Sequence, residues 1–176
     1  MNYRPNPFAM SLRKNAPRII GVIVPDIVTH FFASILNGIE NMAIDNGYFV
    51  IITTSHESFE HEKRNIENLV NMRVEGIIAC LSQETTDFSH FAALKEINMP
   101  LILFDRVCLT DQFSSVIADG AQSAQMATQH LLDNGSKRVA FIGGANHLDI
   151  VKRRKHGYLE ACLLYTSPSP RDGATS

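Results

Sequence analysis

The side chains best suited to chemistry are scattered rather than gathered. The histidines His30, His56, His61, His90, His130, His147 and His156 are too dispersed to suggest a metal site. Cys80, Cys108 and Cys162 are odd in number and show no C-x-x-C spacing. That argues against a disulfide framework or a zinc site and fits a reducing, cytoplasmic setting. Cys80 follows the apolar run Gly76-Ile77-Ile78-Ala79, which makes it a buried filler rather than a reactive thiol. A phosphate-accepting aspartate after the third strand would suggest a signalling receiver, but Cys80-Leu81-Ser82 stands there. The chain has no G-x-S-x-G element, P-loop or GxGxxG opening, and Gly143-Gly144 reads only as a tight turn. The expectation is a non-enzyme with no catalytic group, no metal and no cofactor.

Two basic stretches remain. A net charge of −2 gives no global pull on nucleic acid, so any DNA affinity must come from a local patch. Arg4, Arg13 and Lys14 form one such patch. Between them Asn6 can cap a short helix whose first residue is Pro7, with Phe8, Ala9 and Leu12 on one face. A helix that short forms only when packed against something. Lys152-Arg153-Arg154-Lys155, taken alone, is a solvated charge run.

The elements that must position these residues alternate. Strands are expected over residues 18–24, 48–53, 76–81, 101–104 and 115–118, each apolar or β-branched. Helices are expected over residues 32–45, 57–72 and 88–97, from apolar residues at helical spacing such as Phe32, Ile35, Leu36 and Ile39. Such strands, each followed by an amphipathic helix, imply a parallel sheet covered on both faces. Ligands then sit beyond the C-terminal strand ends, so the loops at residues 25–32, 81–83 and 105–106 should converge. A further helix over 119–134, a strand over Arg138–Ile142 and a helix from Val151 would begin a second, incomplete subdomain.

The expected organisation is a linker over residues 1–16, a first subdomain over 17–118 and the start of a second over 119–161. Residues 162–176 form a foreign tail: Cys162-Leu163-Leu164-Tyr165-Thr166-Ser167-Pro168-Ser169-Pro170-Arg171-Asp172 reads as a translated sequencing adapter, with a Ser/Pro-rich tail as the alternative. A composition of 45% hydrophobic and 19% charged residues is that of an ordinary soluble protein. There is no secretory signal and no apolar run of the ~18 residues a membrane span needs.

Tyr3-Arg4-Pro5-Asn6, then Pro7 to Arg13, then Ile19-Ile20-Gly21-Val22-Ile23-Val24-Pro25-Asp26 resemble the LacI/purine-repressor family. Arg73-Val74-Glu75-Gly76-Ile77-Ile78, Pro100 to Arg106 and Arg138 to Gly144 continue the likeness in order and spacing. The resemblance implies an α/β, Rossmann-like, periplasmic-binding-protein-like sensor behind a missing helix-turn-helix head, hence a DNA-binding transcriptional regulator. It implies operator DNA as a partner, met by the hinge residues Arg4, Asn6, Ala9, Leu12 and Arg13, with the leucine wedged into the minor groove. Met10 departs from the polar or basic residue usual at its position. The resemblance also implies a homodimer and a small-molecule effector such as a sugar or a nucleoside. Phe31, Phe32, Asp105, Asp119 and Arg154 are its implied effector-binding residues. Local roles compete: Phe32 also lies on a core stripe, and Asp105 and Asp119 also suit a loop or helix cap. An exported sugar-binding protein shares the implied fold and is the alternative.

Overall fold

The computed structural model describes residues 18–166. The hinge residues Arg4, Asn6, Ala9, Leu12 and Arg13 lie outside them. The chain divides into two compact units between Val116 and Ile117, two residues before the division expected from the sequence.

In the first unit, five strands, β1 (Ile19–Val24), β2 (Phe49–Thr54), β3 (Gly76–Ala79), β4 (Leu101–Phe104) and β5 (Ser114–Val116), are interleaved with three helices. These are α1 (His30–Asp45), α2 (Phe59–Asn71) and α3 (Ser89–Glu96). The strands form one sheet in the order β2-β1-β3-β4-β5, and every neighbouring pair is parallel. In the register, Val22 lies between Ile52 and Ile78, and Ile78 faces Ile102 in turn.

Alternation along each strand splits the apolar residues between two faces. Ile19, Ile23, Ile77, Ala79, Leu101 and Leu103 pack with Ile66 and Leu69 of α2 and with Phe91 and Leu94 of α3. On the other face Val22, Val24, Cys80 and Phe104 meet Phe32 and Leu36 of α1. Apolar residues on both faces explain why the strand sequences read as continuous runs. Helix α1 starts two residues earlier than its apolar stripe suggests because Thr29 caps it, its hydroxyl accepting the Phe32 N–H.

In the second unit, α4 (Gly120–Asp133) and α5 (Asp149–Thr166) pack together. A Cβ on Gly157 would lie 1.9 Å from the carbonyl oxygen of Ala121, so the two backbones touch where no side chain fits. The strand expected over Arg138–Ile142 does not form: residues 138–145 carry neither helix nor strand, and Ile142 is 96% exposed. A strand needs a neighbour to take up its backbone hydrogen bonds, and among the described residues this unit has no other strand. The segment is tied to α5 instead. The Tyr158 hydroxyl donates to the Val139 carbonyl at 2.8 Å, and Phe141 stacks on the Tyr158 ring. Helix α5 continues through residues 162–166, where the sequence suggested a foreign tail. Among the described residues no helix is long and apolar enough to cross a membrane.

Candidate functional site

In a parallel sheet all strands end on one side, so the loops that follow them share that side. In the first unit the loops after β2, β3 and β4 are bonded to one another. Leu81 and Arg106 bond through the backbone, Leu81 N–H to Arg106 carbonyl at 3.2 Å, and the Arg106 guanidinium returns to the Leu81 carbonyl at 3.3 Å. The loop after β2 joins them through Glu57. Its carboxylate takes both terminal nitrogens of Arg106, at 2.6 and 3.0 Å, and the Gln83 N–H at 2.7 Å. The loop after β1 follows Val24, whose carbonyl accepts the Ser55 N–H, and is folded by Asp26, which accepts the Val28 N–H at 2.9 Å. Of the three loops expected to converge, those at 81–83 and 105–106 meet directly, while that at 25–32 reaches the same side through Phe32, whose ring lies edge-on to Phe104.

Beneath these loops lies a polar network that is closed to solvent. Glu62, on α2, is fully buried. Its oxygens accept the Ser82 N–H at 2.6 Å, the Thr85 hydroxyl at 2.7 Å and His90 Nε2 at 2.9 Å. The Ser82 hydroxyl bonds in turn to the Ser55 hydroxyl at 2.8 Å. A buried carboxylate is tolerated when several donors point at it, and here they anchor the loop after β3 from below. His90 is clasped by the rings of Phe59 and Phe91, and its Nδ1 is buried without a partner.

The electrostatics are those of a fixed scaffold. Partial burial pulls the Arg106 guanidinium down, but the hydrogen bonds and charge of Glu57 outweigh it and hold it above its ordinary value. Burial pushes the Cys80 thiol up to about 12, so it is neither a nucleophile nor a ligand near neutral pH. Among the described residues no group of three or more histidines, cysteines and carboxylates could hold a metal ion.

The residues implied for effector binding fall in both units. Phe31 projects from the first turn of α1, 50% exposed beside the exposed Ile27 and Val28. Phe32 turns the other way into the core, edge-on to Phe31 and Phe104. Asp105 follows Phe104 at the tip of β4 with φ at 56°, and its N–H donates to the Val116 carbonyl. These three therefore share one corner of the first unit. In the second unit Asp119 caps α4, accepting the Gln122 N–H at 3.0 Å. Arg154 is exposed on α5, its stem 3.4 Å from where a Cβ on Gly120 would stand.

Glu57, Glu62 and His90 were not singled out from the sequence. One signal was available for Glu62: it lies four residues before Ile66 and seven before Leu69, on the apolar stripe of its helix, where a charged residue is out of place. Glu57 and Arg106 are 49 residues apart, and nothing local marks them as a pair.

Comparison with known proteins agrees with this architecture. The family described as periplasmic binding proteins and sugar binding domain of the LacI family matches residues 18–165. Catabolite control protein A of Priestia megaterium is 33% identical over 168 residues, covering 93% of this chain and 50% of the relative. The ribose operon repressor of Halalkalibacterium halodurans is 29% identical, covering 91% and 46%. The Cra transcriptional dual regulator of Pseudomonas putida, solved with fructose 1-phosphate, superposes with a TM-score of 0.78 at 25% identity, covering 86% and 56%. The chain thus spans about half the length of the curated relatives it matches. With the sheet order, the joined strand-end loops and a family match over nearly all the described residues, the chain belongs to the family of periplasmic binding proteins and LacI-type sugar-binding domains.

Proposed function

We propose that this chain is part of a cytoplasmic transcriptional repressor and forms the portion that senses a small molecule. The observation that carries this is the family match over residues 18–165 on a sheet whose strand-end loops are joined on one side. One relative of this chain bears the name of a ribose operon repressor.

Phe31, 50% exposed on the first turn of α1, is proposed as a ring face for the ligand, and Asp105, at the tip of β4, as a carboxylate that accepts from it. That pairing suits hydroxyl-rich ligands, because aromatic faces stack on sugar rings while carboxylates accept paired hydroxyls. Arg154 and Asp119 are proposed as further polar contacts, Asp119 in addition to its capping bond. Phe32 contributes by seating Phe31 rather than by touching the ligand.

Residues 1–16 would act as the hinge that meets operator DNA, with Leu12 as the wedge and Arg4 and Arg13 on phosphates. Paired hinges need two chains. β2 is a sheet edge, and Phe49, Ile52, Met42 and Ile44 are exposed on it and on α1, which suits a homodimer built on α1, β2 and α2. Effector and operator would then alter each other's affinity reciprocally.

Calorimetry of the full-length repressor against a panel of sugars and nucleosides, with its operator binding measured in parallel, tests this. A bound ligand that changes operator affinity is expected. Binding of neither panel would remove the sensor reading, and binding with no effect on operator affinity would favour a transport-type binding protein.

A further inference from the structure

Arg106 is the only lysine or arginine in the four loops that follow β1 to β4 (residues 25–29, 55–58, 80–88 and 105–113), which carry six carboxylates. An arginine at such a place is the natural seat for an anionic ligand, since its planar fork matches carboxylate and phosphate alike. Here the fork is already filled. Both terminal nitrogens of Arg106 are held by Glu57, at 2.6 and 3.0 Å, and one of them also reaches the Leu81 carbonyl.

The backbone goes to some length to place that carboxylate. His56 and Glu57 are consecutive non-glycine residues at φ 51° and 61°, a conformation that side chains with a Cβ avoid. Two strained residues in a row persist only where the surroundings over-determine them. The Gln83 N–H and the Arg106 guanidinium, which converge on the Glu57 carboxylate, supply that constraint.

We propose that Glu57 determines effector class: by occupying the Arg106 fork, it sets the strand-end loops against phosphorylated and carboxylated ligands and in favour of uncharged polyhydroxyl ones. Within these loops an incoming phosphate must either displace Glu57, leaving that carboxylate beside it, or bind without Arg106 among carboxylates of its own sign. A neutral sugar faces neither obstacle, and it finds the acceptors it needs. This rests on the effector-sensing reading above, which it narrows.

The test is titration calorimetry of the protein with matched pairs, D-ribose against D-ribose 5-phosphate and D-fructose against D-fructose 1-phosphate, plus inorganic phosphate. Wild type, Glu57→Gln, Glu57→Gly and the double variant Glu57→Gln with Arg106→Gln are compared. Glycine suits the backbone at position 57, so the second variant guards against a simple folding failure. Wild type is expected to bind no phosphate ester more tightly than its parent sugar. Both single variants should gain at least tenfold for phosphate esters or inorganic phosphate, and the double variant should lose that gain. A wild-type preference of tenfold or more for a phosphate ester would overturn the proposal, as would folded single variants that gain no anion affinity. If no neutral sugar binds yet the Glu57 variants acquire phosphate, the specificity device stands and the sugar-sensing reading falls.

Discussion

Replacing Glu62 by alanine should be among the most damaging single changes in the first unit. Three donors converge on its buried oxygens: the Ser82 N–H, the Thr85 hydroxyl and His90 Nε2. The hydroxyl can rotate toward another acceptor. The Ser82 amide and the ring nitrogen cannot, because the backbone and the flanking Phe59 and Phe91 rings hold them. Each stranded buried donor costs ~1–3 kcal/mol, and the vacated space adds a packing loss, so a total of about 3–5 kcal/mol is expected. With a urea slope of ~2 kcal/mol/M for a domain of this size, the unfolding midpoint should drop by about 1.5–2.5 M. Glu62→Gln should lose roughly half as much. Its amide nitrogen would face His90 Nε2, forcing the ring proton onto Nδ1, which has no partner. Amide hydrogen exchange at Ser82 should rise in both variants, with little change on α4. A loss below ~1 kcal/mol for Glu62→Ala, or unchanged exchange at Ser82, would refute the idea that this carboxylate anchors the loop.

Other expectations follow from single contacts. Gly157→Ala places a Cβ 1.9 Å from the Ala121 carbonyl oxygen, so α4 and α5 must separate, at a cost of ~3 kcal/mol or more; the helical circular dichroism of a melt should show the second unit lost at lower temperature. Asp119→Ala removes the bond to the Gln122 N–H and should cost ~0.5–2 kcal/mol, while Asp119→Ser keeps the cap. An effector affinity that falls in the serine variant at unchanged stability would show that Asp119 touches the ligand as well. Cys80 holds its proton to about 12 in the native state against an ordinary 9.0, whereas the unfolded thiol releases it near the ordinary value. The stability it supports is therefore complete below about pH 9 and is lost as pH rises toward 12; denaturant midpoints across that range should fall less steeply in Cys80→Ala. A thiol reagent at pH 8 should leave Cys80 unmodified until the chain is unfolded.

The alternation of apolar runs and helical stripes was legible from the residues alone, because it is a local property. Ile19–Val24 is apolar on both sides, so it belongs in the middle of a covered parallel sheet wherever its neighbours lie, and the stripe from Phe32 to Ala43 specifies a helix by its period. From these came the α/β class, the element order and the side on which the loops at 81–83 and 105–106 would meet. What lay beyond the sequence were the events that need a distant partner. Arg138–Ile142 has the composition of a strand, yet a strand is a relation between two segments, and without a neighbour the segment leans on Tyr158 instead. Glu57 looks like a surface acid until the fold carries Arg106 to it across 49 residues. Glu62 looks like one helix charge among several until Ser82, Thr85 and His90 close over it. Periodicity records how much a residue wants to be buried, whereas only the packed structure decides which hydrogen bonds are waiting for it there.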